Sequence, residues 1–368
     1  MKLIYFSNSV LFSKKANCIQ VMKMCEAFSN NFDEVTLYAY SEEKSIEGVH
    51  EFYGVQNNFS IKLYQYKKST VNRVVNSVST LLKLSKKNKN ETTIYCREIF
   101  SAFFASIFRY KNVYEIHNLP PRKAQFLVNY IFKSKTNILN ITISNSLKNK
   151  LEELYNPKNL IYAFHDGASI VNKNFTNPPE FYDKSNFNIG YVGHLYKGRG
   201  IELIIELAKK LPDFSFQIVG GEKSDLDRLK NSSPKNVFYH GFVAPKDTSK
   251  YRFFSDILLM PYKKGLASEG SSADSSSWMS PMKLFEYMSS LKPIISTDLT
   301  VLREVLNDEN SILVPYDVVY WEKAILKIFN DKQFGRLIAT NSYNDLISKF
   351  TWEKRSNNIS NLIKIFFK

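Results

Sequence analysis

Residues 187–221, FNIGYVGHLYKGRGIELIIELAKKLPDFSFQIVGG, decide the fold class of this chain. The first six residues form a short apolar run that predicts a buried strand, and a turn containing three glycines leads into a predicted helix at Ile201–Lys210. A second apolar run at Phe214–Val219 predicts the next strand. A strand, a crossover helix and another strand in this order are typical of a parallel sheet covered by helices.

The same alternation of apolar runs and amphipathic stretches recurs along the whole chain, which is 368 residues long. That length is too great for one compact core and suits two α/β domains. Besides the two strands above, the sequence predicts strands at Leu3–Phe6, Val35–Ala39, Ile61–Tyr66, Thr92–Cys96, Val113–Ile116, Asn140–Ile143, Leu160–Ala163, Asn236–Tyr239, Ile257–Met260, Pro293–Ser296 and Ser311–Val314. The pattern therefore predicts two doubly wound, Rossmann-like units in tandem.

The boundary between the two predicted domains lies in a polar stretch, VNKNFTNPPEFYDKSNF (171–187), which has two adjacent prolines and no periodicity. Such a composition is typical of a linker. We expect an N-terminal domain at residues 1–170 and a C-terminal domain at residues 186–349. Because ligands of doubly wound sheets bind beyond the carboxyl ends of the strands, the site is expected in a cleft between the domains.

The formal net charge of +15 is concentrated in the first half, where residues 1–168 carry 23 Lys and Arg against 13 Asp and Glu. A basic surface suits nucleic acid or an anionic membrane, but on charge alone a lysine-rich solvated surface is the favoured explanation. No apolar run reaches the length of a membrane span and no signal peptide is recognisable, so a cytoplasmic protein is expected. Three cysteines without metal-binding spacing predict buried thiols and no metal site.

The segment SSWMSPMKLFEYMSSLKPIIST (276–297) carries the most chemical information. Ser280 followed by Pro281 predicts a helix start with a capping side chain. Helical spacing then places Lys283 and Glu286 on one polar face, opposite a core face. The amides of a helix N-terminus attract anions, and a lysine in the first turn is easiest to explain if a phosphate neutralises it.

This segment resembles the donor-site helix of glycosyltransferase family 4, whose members have the GT-B fold and retain anomeric configuration. The resemblance implies that Lys283 holds a nucleoside diphosphate and that Glu286 binds the ribose. The family motif pairs two glutamates, Glu-x7-Glu, and Trp278 stands where the first glutamate is expected. Asp274 or the backbone amides around Met279–Ser280 could take over the contacts of that glutamate.

Other segments resemble the family in chain order. GYVGHLYKGRG (190–200) resembles the opening of the donor domain, where an Arg and a Lys clamp the diphosphate, here replaced by His194 and Arg199. VYEIHNLP (113–120) resembles the acceptor-side strand end whose histidine lies beside the transferred sugar. Further likeness lies in the first strand, loop and helix (7–29), YCRE (95–98), ISNSLKNKLEELY (143–155), HDGAS (165–169), VFYHGFV (237–243) and FTWEKRSNN (350–358).

The resemblance implies three groups of site residues. The implied catalytic residues are His117, Arg199 and Lys283. The implied donor-binding residues are Gly193, His194, Arg199, Gly241, Phe242, Ser280, Pro281, Lys283, Leu284 and Glu286. The implied acceptor-side residues are Asn17, Arg97, Ser144 and Gly167. No metal or other cofactor is implied, because cations and helix dipoles neutralise the leaving diphosphate.

The implied architecture is two Rossmann-like domains facing across a cleft, with a final helix, about 350–368, that returns to the first domain. The implied function is transfer of a sugar from a nucleotide sugar to a glycan acceptor in bacterial cell-surface polysaccharide biosynthesis, such as lipopolysaccharide, O-antigen or capsule. A GT-B nucleotide-sugar epimerase and a non-catalytic sugar-binding protein remain alternatives. A nicotinamide dehydrogenase is disfavoured, because the glycine fingerprint with its acidic partner is missing.

The predicted helix Pro121–Lys135 is a candidate for contact with a membrane surface. It mixes Phe126, Tyr130 and other apolar residues with basic flanks, a composition that suits a shallow contact with an anionic membrane. An ordinary amphipathic helix packed on the sheet explains the pattern equally well. The hypothesis of membrane contact predicts a polyprenyl-linked acceptor and a peripheral position on the inner face of the cytoplasmic membrane. No nucleic acid partner is expected.

Overall fold

The computed structural model describes residues 1–13, 15–43, 45–84, 89–171, 175–183, 185–196, 198–265 and 275–367. The chain divides into two compact units, and each has its own parallel sheet. The first unit comprises Met1–Asp166 together with Trp352–Lys368, and the second comprises Gly167–Thr351.

The sheet of the first unit has seven strands in the order β3-β2-β1-β4-β5-β6-β7, and every neighbouring pair is parallel. The strands are β1 (Lys2–Val10), β2 (Glu34–Ser41), β3 (Ser60–Gln65), β4 (Thr92–Cys96), β5 (Asn112–Ile116), β6 (Asn137–Thr142) and β7 (Ile161–Ala163). The central strands β4 and β5 are buried at every residue. Helices therefore cover both faces of this sheet, as its all-parallel pairing requires.

Seven helices belong to the described part of the first unit. They are α1 (Ala16–Phe28), α2 (Val49–Tyr53), α3 (Thr70–Lys83), α4 (Ile99–Ile107), α5 (Gln125–Lys133), α6 (Asn145–Tyr155) and the final helix α13 (Trp352–Phe366). Helix α13 packs beside α1 and reaches β6, so the C-terminal end of the chain is part of the first unit. This packing confirms the predicted return of the final helix.

The second unit has six parallel strands in the order β10-β9-β8-β11-β12-β13, the doubly wound arrangement in which the first strand lies centrally. The strands are β8 (Asn188–Val192), β9 (Ser215–Val219), β10 (Val237–Gly241), β11 (Ile257–Met260), β12 (Ile294–Thr297) and β13 (Ile312–Val314). The helices are α7 (Ile201–Lys210), α8 (Lys223–Lys230), α9 (Thr248–Phe254), α10 (Met282–Met288), α11 (Val318–Asn330) and α12 (Lys332–Lys349). Successive residues of β11 enter opposite core clusters, Ile257 and Leu259 one and Leu258 and Met260 the other.

The structure confirms the predicted fold class, and each of the thirteen predicted strands has a counterpart. The structure differs from the predicted linker, because the described residues of 171–187 are part of the compact second unit. Tyr182 is buried there and donates a hydrogen bond to the carbonyl oxygen of Tyr251 at 3.0 Å. Its aromatic ring supplies packing that the polar composition of the segment conceals. Within the described ranges, the helices are all too short or too polar to cross a membrane.

Candidate functional site

The carboxyl end of β8 and the start of α10 meet in the second unit. The backbone N–H of Val192 donates to Tyr287 Oη at 2.8 Å, which ties the strand end to the helix. Gly193 follows with a φ of 151°, and a Cβ at this position would lie 2.5 Å from Lys283 Cε. A side chain at residue 193 would therefore displace the end of Lys283, and the positive φ independently favours glycine at this position.

Lys283 points its amino group at aromatic faces. Its Nζ lies 3.6 Å from the centroid of the Tyr191 ring and 5.5 Å from that of Tyr262. Although the residue as a whole is half-buried, Nζ itself is withdrawn from solvent and has no hydrogen-bond partner in the described part of the chain. Burial, followed by the charge of Arg199, holds the pKa of Lys283 well below its ordinary value, against an opposing effect of Glu286. The amino group is thus a cation site that lacks an anion.

Arg199 brings a second cation to the same aromatic wall, with Cζ 5.1 Å from the centroid of the Tyr262 ring. Its position depends on Gly200, which has a φ of 79° and lies so close to Pro261 that a Cβ would overlap the proline carbonyl. Arg199 Nε is buried without a hydrogen-bond partner, and no carboxylate in the described ranges lies within salt-bridge distance of this guanidinium. The two cations predicted to bind the diphosphate therefore lie together and unneutralised.

Glu286 lies on the same helix as Lys283 but has a different neighbour. Its Oε2 is 3.5 Å from Nη1 of Arg252, a residue of α9 whose side chain is almost fully buried. Arg252 also donates to Ser290 Oγ at 3.2 Å and to Thr248 Oγ1 at 2.9 Å, which fixes the guanidinium. The sequence reasoning missed Arg252, because no motif marks it. Glu286 remains partly exposed and so can accept hydrogen bonds from hydroxyl groups.

The start of α10 differs from the prediction. The helix has seven residues, its N-cap is Pro281, and no side chain caps it, so the expected capping by Ser280 is wrong. Leu284 and Tyr287 are fully buried, Leu284 in a core cluster, and neither contributes to a solvated face. Because a helix of seven residues sums few peptide dipoles, side-chain cations carry most of the positive field here. The suggested substitute Asp274 lies outside the described residues.

Backbone turns complete the carboxyl edge of the second sheet. The N–H of Gly193 donates to Val219 O at 2.9 Å, and the N–H of Gly220 donates to Gly241 O at 2.7 Å. A Cβ at Gly220 would overlap the carbonyl of Gly193, which shows how closely these turns approach each other. The site reasoning missed Gly220, although the GG pair at 220–221 at the end of a strand was the available signal. The turns after β8, β9 and β10 thus meet at one edge.

Two other predicted donor residues lie beside these turns. The His194 ring stacks on Tyr196, with centroids 4.8 Å apart and planes 5° apart, so its position is set by an aromatic neighbour. Phe242 follows β10 and is partly exposed. Both residues therefore border the edge at which Lys283 and Arg199 lie, which is compatible with the predicted contacts to a nucleotide.

In the first unit, Arg97 joins two other predicted residues, His117 after the end of β5 and Asn17 at the start of α1. Its Nη1 donates to the carbonyl oxygen of Asn17 at 3.1 Å, and its Nη2 lies 3.2 Å from Nδ1 of His117. Asn17 Nδ2 in turn donates to Ser9 Oγ at 3.0 Å. The structure therefore brings Asn17, Arg97 and His117 into one hydrogen-bonded group.

The other nitrogen of His117 fixes its protonation. Nε2 lies 2.7 Å from Oε1 of Glu115, and because Arg97 can only donate, Nδ1 must be the acceptor and Nε2 must carry the hydrogen. Burial and then Arg97 lower the pKa of His117, so the ring is neutral at neutral pH. With both nitrogens engaged, His117 has no free nitrogen with which to take a proton from a substrate.

Glu115 is a buried carboxylate that the site reasoning missed. Its Oε1 accepts from Arg355 Nη2 at 2.8 Å and from Gln20 Nε2 at 2.9 Å, and its Oε2 accepts from the Tyr95 hydroxyl. Burial alone would raise the pKa of Glu115, but Arg355 and His117 hold it well below its usual range. A glutamate inside the buried run NVYEI was the available signal, whereas its partner in α13 could not be foreseen from spacing.

The remaining acceptor-side residues are placed as follows. Ser144 is the N-cap of α6, where its hydroxyl accepts from the N–H of Leu147 at 3.1 Å. Gly167 is the first residue of the second unit. Among the residues that the structure describes, no group of three or more His, Cys, Asp or Glu side chains is arranged to hold a metal ion.

Comparison with known proteins gives one family match, in which residues 186–331 fit the model described as Glycosyl transferases group 1. Over 203 residues, 53% of this chain, it is 25% identical to an uncharacterized 41.2 kDa protein in the cps region of Klebsiella pneumoniae. Over 113 residues, 30% of the chain, it is 28% identical to TuaH of Bacillus subtilis, a putative teichuronic acid biosynthesis glycosyltransferase. The matches span 54% and 26% of those relatives, respectively.

Among solved structures, Anabaena HepE in complex with UDP superimposes with a TM-score of 0.73 at 15% identity, covering 99% of this chain and 100% of HepE. HepE has also been solved with UDP-glucose. At this identity the likeness concerns the fold, and it confirms the predicted GT-B architecture of two doubly wound units. The family match and the structural neighbours together support a glycosyltransferase family for this chain.

Proposed function

We propose that this protein is a retaining, family 4-type glycosyltransferase that moves a sugar from a nucleoside diphosphate sugar to a glycan acceptor. One observation carries the proposal: Lys283 and Arg199 lie together at the carboxyl edge of the second sheet, against Tyr191 and Tyr262, and among the described residues neither forms a salt bridge with a carboxylate. Two half-buried basic side chains with free donors match the two negative phosphates of a nucleoside diphosphate, whose charge would favour the protonated form of Lys283. Glu286, one turn further along α10, is placed to accept hydrogen bonds from the ribose.

The chemistry that these residues support is stabilisation of a leaving group. As the bond between the sugar C1 and the diphosphate oxygen breaks, negative charge gathers on the phosphate beside Lys283 and Arg199. The acceptor oxygen forms its bond to C1 on the same face, and its proton passes to the departing phosphate oxygen. Because both nitrogens of His117 are already bonded, the ring is not a general base in this scheme.

A screen of nucleoside diphosphate sugars by thermal shift tests the proposal. A ligand present at one hundred times its Kd adds about 2.7 kcal/mol to stability, so a genuine donor should raise the melting temperature clearly. UDP-glucose is the first candidate, because HepE binds it. The shift should be lost in Lys283→Ala and kept in Lys209→Ala, which removes an exposed lysine of α7. A shift that is equal in both variants would contradict the proposed donor site.

We also propose that transfer needs no divalent ion, because protein cations perform the neutralisation. Turnover with the donor identified by the screen should then survive excess EDTA nearly unchanged. Loss of activity that only Mg²⁺ or Mn²⁺ restores would overturn this part of the proposal.

The proposed acceptor is a polyprenyl-linked glycan at the inner face of a bacterial cytoplasmic membrane. Support comes from an exposed apolar face on the adjacent helices α3, α4 and α5, formed by Val71, Val75, Leu82, Ile107, Phe126 and Tyr130. Phe126 is 65% exposed and Leu82 66%, which is unusual for such large side chains on neighbouring helices. Exposed cations border this apolar helical face: Lys67, Lys68, Lys83, Arg109, Arg122, Lys123, Lys133 and Lys135.

Residues 99–135 include six Lys and Arg but a single acidic residue, the buried Glu115. Apolar side chains bordered by cations fit the interface of an anionic membrane, where each exposed cation contributes about 1 kcal/mol. Vesicle flotation tests this: the protein should float with anionic vesicles at low salt and much less with neutral ones. Phe126→Ser should reduce flotation, whereas Leu337→Ser, at an exposed apolar residue of the second unit, should not. Equal flotation of both variants would remove the apolar helical face from the proposal.

A further inference from the structure

The Arg97 guanidinium is a cation without a carboxylate partner. In the described part of the chain, it bonds only to the carbonyl of Asn17 and to the neutral ring of His117, and its Nε is buried without a partner. Glu115, the carboxylate of this group, is bonded to Arg355, Gln20, Tyr95 and His117 instead. The charge of Arg97 is therefore fixed in place but not paired.

Asp166 is a second carboxyl group close enough to Arg97 for an electrostatic effect, and its pKa is raised by burial although Arg355 and His117 act against the rise. Asp166 acts on His117 electrostatically, and the charge of Arg97 also lowers the pKa of Asp166, although less than Arg355 and His117 do. Among the described residues, the charged groups that act on this site include the compensated pair Glu115–Arg355 and a buried carboxyl group, Asp166, that is harder to ionise than usual, while His117 is neutral.

The hydrogen bonds around Arg97 also restrict its motion. Asn17 is tied through Ser9 to the end of β1, and His117 is tied through Glu115 to α13. A guanidinium held from two sides loses little conformational entropy when it binds a ligand, and its planar N–H groups suit the two oxygens of a phosphate or carboxylate. Uncompensated charge and a fixed position are together what an oxyanion site requires.

We infer that Arg97, positioned by Asn17 and His117, binds an oxyanion of the acceptor, a phosphate or a carboxylate, so that this enzyme acts on an acidic or phosphorylated acceptor. The inference rests on the proposed transferase function and assigns a substrate class to its acceptor side. His117 is a positioning residue in this arrangement, because it acts on the acceptor through Arg97.

Calorimetric titration tests the inference in a Lys283→Ala background, which weakens the separate anion site of the donor. The probes are inorganic phosphate, glucuronate and, as a neutral sugar, glucose. Adding Arg97→Gln should weaken binding of phosphate or glucuronate about tenfold or more, the usual loss when hydrogen bonds to a charged group are removed. Adding Arg336→Gln, which removes an exposed arginine of α12, should leave the affinity unchanged. Whichever anion, phosphate or glucuronate, loses more affinity for the protein on Arg97→Gln indicates whether the acceptor carries a phosphate or a carboxylate.

Equal anion affinity in the Arg97→Gln and Arg336→Gln variants, or no anion binding in the Lys283→Ala background, would overturn the inference. If Arg97→Gln fails to fold, Arg97→Lys replaces it, since it keeps the charge and loses the planar pair of donors; an unchanged affinity would again overturn the site. Binding of the donor nucleotide, measured on Arg97→Gln with Lys283 intact, should be normal. If Lys283→Ala loses nucleotide binding and Arg97→Gln does not, the proposed function is supported even when the anion titrations contradict the Arg97 site.

Discussion

At the scale of single residues, the donor site depends on a lysine in a costly environment. Sequence and family resemblance pointed to Lys283 and Arg199, because charge, spacing and glycines are visible in a sequence. The resemblance could not supply Tyr191 and Tyr262, the rings that face these cations, because their proximity arises from the pairing of β8 with β11. The tertiary fold therefore determines the protonation of Lys283, even though the motif identifies the residue.

The low pKa of Lys283 leads to a prediction about the protein without ligand. Between this lowered pKa and the ordinary value of about 10.4, the unfolded chain holds a proton that the folded chain lacks, so stability rises with pH in that interval. Lys283→Met should remove this pH dependence and raise the free energy of unfolding at neutral pH by about 1–3 kcal/mol, because an unsatisfied buried donor is removed. Urea unfolding at several pH values measures it, with Lys209→Met as control; an unstable variant would contradict the prediction.

His117 gives a second prediction at this scale. His117→Ala should lower turnover about tenfold or more while nucleotide affinity stays within about twofold, because the ring positions Arg97 and the proposed nucleotide ligands Lys283, Arg199 and Glu286 are not among its hydrogen-bond partners, Arg97 and Glu115. His117→Asn should restore part of the turnover, since its amide can accept from Arg97 and donate to Glu115. Steady-state kinetics and nucleotide titration check both variants. Normal turnover in a folded His117→Ala protein would show that Arg97 does not need this support.

At the scale of elements, sequence patterns predicted strands better than helix ends. Apolar runs marked all thirteen strands because buried parallel strands are nearly uniformly apolar. The predicted start of α10 was wrong, because Ser280 and Pro281 suggested a local cap. The helix begins at Met282 with no capping side chain. In this segment, burial of Leu284, Phe285 and Met288 fixes the helix, and tertiary packing outweighs the local signal.

The final helix α13 carries the interaction that the sequence could not reveal, the buried pair of Arg355 and Glu115. Arg355→Met should lower the free energy of unfolding by about 3–5 kcal/mol, because it leaves a buried carboxylate without its main partner. The double variant Glu115→Gln/Arg355→Met should recover part of this loss. Urea unfolding measures both, with the exposed Lys364→Met as control. A loss below 1 kcal/mol for Arg355→Met would mean that the pair does little to hold α13 to the first unit.

At the scale of the whole molecule, each of the two doubly wound units carries basic side chains at the carboxyl edge of its own sheet that form no salt bridge within the described residues. These are Lys283 and Arg199 in the second unit and Arg97 in the first. The alternation of strands and helices predicted both sheets. The balance of charge within each site could not be predicted, since it depends on which carboxylates are occupied elsewhere, as Glu115 is by Arg355 and Glu286 is by Arg252.

The central claim is that α10 and the end of β8 bind a nucleoside diphosphate. The most direct measurement is isothermal titration with the nucleoside diphosphate selected by the thermal-shift screen, on wild type, Lys283→Ala, Glu286→Gln and the control Lys209→Ala. Each of the first two substitutions removes hydrogen bonds to or from a charged group, so affinity should fall at least about tenfold in both, while the control binds like wild type. Unchanged affinity in folded Lys283→Ala and Glu286→Gln proteins would contradict the account.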